Sequence, residues 1–493
     1  MAGSGAGSGT GRGAAGAAGD IVSFDPARPS RQVGHARVEP GAVERAVHAA
    51  RGAFECWSGR SMDARAEVLR AWAAVTRTHA ERIAALISGE MGKTIAEARQ
   101  EVALLADKVE VTLEERVRAR IAGYDLPGGA TRVNRCGYRP FGVMAVVGPF
   151  NFPAHLPNGH WVPALLAGNT VVFKPSEKVP AVGALMAELM AESGVPDGVF
   201  NLVQGRGDAA AALVAHPGVD GVLFTGSWPV GRRILESNLD RPGRMVALEM
   251  GGSNPAIVLG CADLRQAVIE CVRCAFLTTG QRCTCTRRVV VLREVADRFI
   301  AAAVESARSI TVGAGDASPA PFMGPLVSRE ARDAVLSFQA ERAARGARVL
   351  LEARAPEGEG WFVTPGVLQV DRFDRATDCE VFGPVLQVAV ADDLDDALAQ
   401  ANATDFGLAA SVFGRDAVAV ERAVRGLRAG CINVNCGTAG ASGKLPFGGL
   451  GRSGNLRPAG AAMVDSCAYP VASMLESGES AAIPAGMTVP DRV

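Results

Sequence analysis

The sequence predicts an α/β protein of at least two domains, each built on a parallel sheet. Three observations carry this expectation. The chain has 493 residues, more than one simple core accommodates. From Gly142 onward, short β-branched apolar runs alternate with helical stretches, the spacing of parallel strands covered on both faces. The alternation then starts afresh near residue 251, which implies a second domain of the same class.

Taken in order, residues 63–121 read as helical. Val68, Leu69, Trp72 and Val75, then Ile83, Leu86 and Ile87, recur at three- and four-residue spacing, with Gly89 and Gly92 as expected breaks. Residues 124–138 are rich in glycine and without clear period, an expected exposed ribbon. The apolar run 143–147 reads as a strand stopped by Gly148 and Pro149. A helix end at 163–166, a strand at 170–173 and a helix at 182–193 follow, the last closed by Gly194. Strands at 200–203 and 221–224 flank a helix at 208–215. In the second half, strands at 256–259, 289–292 and 385–390 alternate with helices at 264–276, 295–309, 329–345 and 394–402. Residues 463–475 again read as extended and able to pair with the earlier ribbon.

Composition narrows the classes. A hydrophobic fraction of 48% and a charged fraction of 21% describe an ordinary globular chain. A net charge of −1 offers no pull toward nucleic acid or an anionic membrane, and no apolar run is long enough to span a bilayer. Residues 1–19 are nearly all Gly, Ala and Ser, a flexible tail without the basic and apolar regions of a secretory signal. Eleven cysteines in such a chain read as reduced thiols in the cytoplasm.

The chemistry centres on Cys283. Its loop, Gly280-Gln-Arg-Cys-Thr284, is small and polar and runs into the β-branched run Val289-Val-Val291. A strand edge can present such a thiol to a cleft, and Arg282, Arg287 and Arg288 are expected to help hold a thiolate. The alternative is one more buried thiol. Glu249 precedes a glycine pair, and Asn151 lies between Pro149 and Pro153. A thiol, a carboxylate and an amide donor are the parts of acyl chemistry through a covalent intermediate.

Other motifs are weaker alone. Gly226-Ser-Trp-Pro-Val-Gly231 follows a strand and opens a helix whose free N–H groups suit a phosphate; the plain alternative is a tight turn. Gly205-Arg-Gly-Asp-Ala-Ala210 resembles a dinucleotide fingerprint by letter but lacks the acidic residue about 20 positions on. Lys174 and Glu177 follow a strand end, where ligands bind in open sheets; Glu177 would accept from a 2′-hydroxyl, or the two form a surface ion pair. Cys271, Cys274, Cys283 and Cys285 are not far from zinc-site spacing, but the first two fall within an apolar helical stretch, where cysteine serves as a small hydrophobe. No metal is expected.

At these residues the chain resembles the NAD(P)-dependent aldehyde dehydrogenase superfamily, and the resemblance runs from about residue 21 to 475. Phe150-Asn-Phe-Pro153, Lys174-Pro-Ser-Glu177, Phe224-Thr-Gly-Ser227, Leu248-Glu-Met-Gly-Gly252, Gly280-Gln-Arg-Cys283, Glu380-Val-Phe-Gly-Pro384 and Pro446-Phe-Gly-Gly449 stand in family order. The resemblance implies a nucleophile at Cys283, a general base at Glu249 and an oxyanion donor at Asn151. For NAD it implies Lys174 and Glu177 at the adenosine ribose, Gly226, Ser227 and Gly231 at the pyrophosphate turn, and Glu380 and Phe382 at the nicotinamide end. It also implies a Rossmann-like NAD-binding domain (20–122 and 139–250), a catalytic domain (251–461), a small β oligomerisation arm (123–138 and 462–478) and a homodimer or homotetramer.

A finer resemblance, to one branch of that family, rests on His155-Leu-Pro-Asn-Gly-His160, Gln281-Arg-Cys-Thr-Cys-Thr-Arg-Arg288 and Arg457-Pro-Ala-Gly460; Leu456 departs from the histidine expected there. That branch oxidises a semialdehyde carrying several carboxylates. Arg282, Lys444 and Arg457 are the cations expected to meet them. Transfer of the acyl group to coenzyme A, or a silent binding protein on the same fold, are the competing readings. Glu249 favours water as acceptor, and the joint presence of Cys283, Glu249 and Asn151 favours catalysis.

Overall fold

A computed structural model describes residues 19–478 and 483–490. The expected tail at 1–19 lies outside these, Gly19 excepted.

Two parallel sheets dominate. The first has five strands in the order Phe200–Leu202, Thr170–Lys174, Val143–Val147, Gly221–Thr225 and Met245–Glu249. The chain starts in the middle, moves to one side, then crosses to the other. The carboxyl ends of Val143–Val147 and Gly221–Thr225 therefore mark the point where strand order reverses, the usual ligand position in open α/β sheets. Alternate residues of the strands feed different cores. Met144, Val146, Val171 and Phe173 pack with the helices bearing Trp72 and Trp161, whereas Val143, Ala145, Val172 and Val222 pack on the opposite face. Burial on both faces is why these strands read as unbroken apolar runs.

The second sheet has seven strands in the order Arg348–Leu351, Gly366–Gln369, Val385–Ala391, Thr286–Leu292, Asn254–Val258, Ala409–Phe413 and Cys431–Val434. All pair in parallel except the first, which is antiparallel to its neighbour. The chain passes from one sheet to the other in the four residues between Glu249 and Asn254. Carboxyl ends of the first sheet thus face amino ends of the second, and Cys283 stands just before the central strand Thr286–Leu292.

The ribbon forms the strands Tyr124–Pro127 and Arg132–Pro140, and the C-terminal strand Ala468–Glu476 pairs antiparallel along the whole of the latter. Three details differ from the sequence reading. Residues 461–466 form a 3-10 turn rather than extended chain. Gly89 lies inside the helix Ala80–Met91, because one glycine costs a helix only about 1 kcal/mol. Gly92 does end it, in a left-handed conformation at φ 86°. The strand of Cys283's loop begins at Thr286 rather than 289, because Arg287 and Arg288 are buried there with guanidinium groups donating to carbonyls, Arg287 Nε alone of their nitrogens lacking a partner among the described residues.

Candidate active site

The expected reactive groups stand at a strand terminus or on the loops that join the strands to their neighbours. Glu249 is the last residue of Met245–Glu249. Its carbonyl accepts from Gly226 N–H at 3.0 Å, so the base candidate and the glycine turn share one support. The carboxyl is buried, and its Oε1 has no hydrogen-bond partner among the described residues. Desolvation therefore raises its pKa well above the ordinary carboxylate range.

Asn151 lies in the loop between Val143–Val147 and the helix His155–Ala167, and is buried. Its Nδ2 donates to the carbonyl of Gln281 at 2.9 Å. The amide is thereby brought to within two residues of Cys283 along the opposing loop. Asn254 Nδ2 donates to the carbonyls of Cys283 (2.7 Å) and Cys285 (2.8 Å), fixing the backbone that carries the thiol. The turn leading into it is strained. Thr278 and Thr279 have φ of 53° and 57°, a region β-branched residues avoid at a cost of about 1–3 kcal/mol each. Gly280 follows at φ 71°, and a Cβ there would collide with the Gly383 carbonyl.

The half-buried Cys283 thiol is pushed up by desolvation first, then by the Glu249 and Glu380 carboxylates; Arg287 opposes this. This corrects the expectation of three arginines holding a thiolate. Arg282 Nη2 is paired with Glu97 at 2.9 Å, and Arg288 donates to the carbonyls of Ser253, Gln400 and Ala401. Successive residues on a strand face opposite ways, so only Arg287 of the pair turns toward the thiol.

The remaining expected residues divide. Lys174 is buried at the end of its strand, 3.5 Å from Glu177, and burial lowers its pKa. Gly226 and Gly231 have no room for side chains: Cβ atoms would meet the Phe224 ring and Met250 Sδ, respectively. Ser227 caps the helix Trp228–Glu236 through its backbone alone, leaving the first-turn N–H groups without a side-chain partner; Pro229 stands in that turn. Glu380 accepts from Gly252 N–H at 3.0 Å, and Phe382 packs edge-on against Phe150 at 5.8 Å. These features fit a dinucleotide lying across the carboxyl ends of the first sheet.

Of the expected substrate cations, Arg282 is committed to Glu97, and Lys444 is solvent-exposed, 3.8 Å from Glu114. Arg457 differs. It is exposed at φ 49° and pairs with no carboxylate among the described residues. Gly448 is wedged between its Cα and Glu249 Oε1, which places the Arg457 loop beside the base candidate.

Glu97 and Glu101 were not singled out from the sequence. The available signal was Thr94-x-x-Glu97 at the start of the helix Ile95–Leu113, a capping pattern that the structure realises through Thr94 Oγ1.

Two sheets face end to end, and the thiol, carboxyl and amide lie between them, groups of the kinds that covalent acyl chemistry uses. The profile of the Aldehyde dehydrogenase family matches residues 14–470, and the chain belongs to that family. It is 44% identical over 448 residues to the N-succinylglutamate 5-semialdehyde dehydrogenase of Ectopseudomonas mendocina, spanning 90% of this chain and 91% of the relative. To the enzyme of the same name from Sphingopyxis alaskensis it is 42% identical, spanning 96% and 97%. Among solved structures, the 1-pyrroline-5-carboxylate dehydrogenase from Thermus with bound NAD superposes with a TM-score of 0.88 at 31% identity, covering 93% of this chain and 90% of that one.

Proposed function

We propose that this chain oxidises N-succinyl-L-glutamate 5-semialdehyde to N-succinyl-L-glutamate with NAD, a step of arginine catabolism by the succinyltransferase route. The observation that carries the reading is the meeting of Cys283, Glu249 and Asn151 at opposed strand ends, in a chain 44% identical to an enzyme named for that activity.

Cys283 Sγ, half-buried and able to give its proton up to solvent, attacks the aldehyde carbon. The charge that develops on oxygen is met by Asn151 Nδ2, released from Gln281, and by the Cys283 N–H. NAD, when bound, would act as the two-electron oxidant, taking hydride from the thiohemiacetal carbon so that a thioester is left on Cys283. Glu249, once ionised, draws a proton from water, which attacks the thioester; the acid leaves and the thiol is restored.

Residues 20–122 and 139–250 hold the dinucleotide in this reading. Lys174 and Glu177 take the adenosine ribose, Gly226, Ser227 and Gly231 the pyrophosphate, and Glu380 and Phe382 the nicotinamide end. Residues 251–461 carry the catalytic loop. Arg457 is the cation we assign to a substrate carboxylate, because its charge is uncommitted and its loop abuts Glu249. We further propose a cytoplasmic homodimer or homotetramer. No helix among the described residues is long and apolar enough to cross a membrane.

The test is NADH formation from succinylglutamate, succinate and glutamate semialdehydes and an uncharged aliphatic aldehyde, with Cys283→Ser alongside. The first substrate should lead in kcat/KM, and Cys283→Ser should be inert with all four. Equal turnover of the aliphatic aldehyde rejects the anionic substrate, and full activity of Cys283→Ser rejects the mechanism.

A further inference from the structure

We infer that Glu97 and Glu101, one turn apart on the buried face of the helix Ile95–Leu113, are positioning residues that hold the Asn151 loop and the Cys283 loop in one frame. This rests on the assignment of those two residues to the reaction.

Glu101 serves the Asn151 side. Its Oε1 accepts from the N–H groups of Ala154 (3.0 Å) and His155 (3.1 Å), where the Asn151 loop turns into the helix His155–Ala167. Its Oε2 accepts from Lys93 Nζ at 2.5 Å, and both side chains are wholly buried. Glu97 serves the Cys283 side. Its Oε1 accepts from Thr278 N–H and Thr278 Oγ1, each at 2.8 Å, and from Arg282 Nη2 at 2.9 Å. The halves meet at Phe152, next to Asn151. Lys93 Nζ lies 3.5 Å from the centre of its ring and the Arg282 guanidinium 5.1 Å, so each cation on the ring is paired with its own carboxylate.

Two features point to positioning rather than stability. Buried ion pairs are poor stabilisers, and apolar residues of similar volume often serve as well. The backbone that Glu97 grips is also the strained one. Left-handed threonines persist only where the surroundings over-determine them. Thr279 is held through Oγ1 by the Gly324 carbonyl at 2.9 Å, and Thr278 by Glu97. Without that grip Thr278 relaxes, and Gln281 and Cys283 shift against Asn151. A displacement of about 1 Å is worth about 100-fold in rate.

The experiment is Glu97→Ala in the full-length enzyme, with kcat normalised to sites titrated by the NADH burst and NAD affinity measured by fluorescence. We expect kcat per site to fall about 10- to 100-fold with NAD affinity within twofold. Adding Thr278→Gly should recover several-fold, because glycine adopts positive φ unaided. If Glu97→Ala does not fold, Glu97→Asp replaces it: the shorter side chain keeps the charge but loses reach to Thr278 N–H, and the same fall is expected. The inference is overturned by kcat per site within twofold of the parent in either folded variant. A loss confined to melting temperature or titratable sites, or a Thr278→Gly without recovery, overturns it equally. An active Cys283→Ser would instead reject the underlying site assignment.

Discussion

Glu249 shows how one residue's surroundings set its chemistry. A carboxyl at a strand end, buried and with one oxygen unpartnered among the described residues, holds its proton more tightly than a solvated one because nothing there compensates the lost hydration. As a base for water it must ionise first. Turnover limited by thioester hydrolysis should therefore rise with pH through the elevated pKa and level off above it. Stability runs the other way: the neutral carboxyl's contribution is full below the unfolded value near 4.5 and is lost as pH rises through the folded one. Glu249→Gln cannot ionise. We expect it to retain a single-turnover burst of NADH while steady-state turnover falls about 100-fold and its pH dependence flattens. A pH–rate profile with rapid-mixing kinetics checks this, and an unaltered steady state in the variant would remove Glu249 from the hydrolytic step.

At the scale of elements, the turn Leu277–Gly280 is the feature on which the site is aimed. Gly280 combines positive φ with contact against the Gly383 carbonyl, so Gly280→Ala meets both backbone strain and a collision. We expect a loss of about 2–4 kcal/mol, read by denaturant titration, and at least a tenfold loss of turnover. Wild-type stability and rate in that variant would show that the loop rearranges freely. The sequence made some of this legible. Strands apolar on both faces, such as Val143–Val147 and Gly221–Thr225, stood out, as did the glycines at 226, 231 and 280, where side chains have no room. Other parts were hidden for physical reasons. Met245–Glu249 does carry the apolar run Met245-Val-Ala-Leu248, but it ends in a carboxylate that only burial at a strand end explains. Arg287 and Arg288 disguise the start of a buried strand, because only the fold reveals the carbonyls that satisfy them. Glu97 and Glu101 look like the solvent face of an amphipathic helix until the loops they bind are placed against it. Arg282 likewise looked free for substrate until Glu97 was seen to hold it.

At the scale of the whole molecule, the three-stranded sheet raises the question of assembly. The strand Ala468–Glu476 pairs along one edge with Arg132–Pro140, in register from Ala468 opposite Pro140 to Glu476 opposite Arg132. Its other edge has no partner among the described strands, and Tyr469, Met474 and Leu475 are exposed along it. The opposite edge strand of the sheet, Tyr124–Pro127, is exposed throughout, with Tyr124 and Leu126 open to solvent. A long, free, partly apolar edge is a template for pairing with another chain, and charged residues are the usual means of preventing it. This edge is charged only at its end, by Glu476, which is already engaged with Arg132. We therefore expect light scattering at micromolar concentration to return two or four times the 51.0 kDa chain mass. Met474→Lys together with Leu475→Lys should shift the population toward monomer, with the melting temperature of the two main sheets little changed, because neither residue contributes to a buried core. A parent protein of single-chain mass, or an assembly indifferent to both lysines, would mean that the edge faces solvent and that assembly, if any, uses another surface.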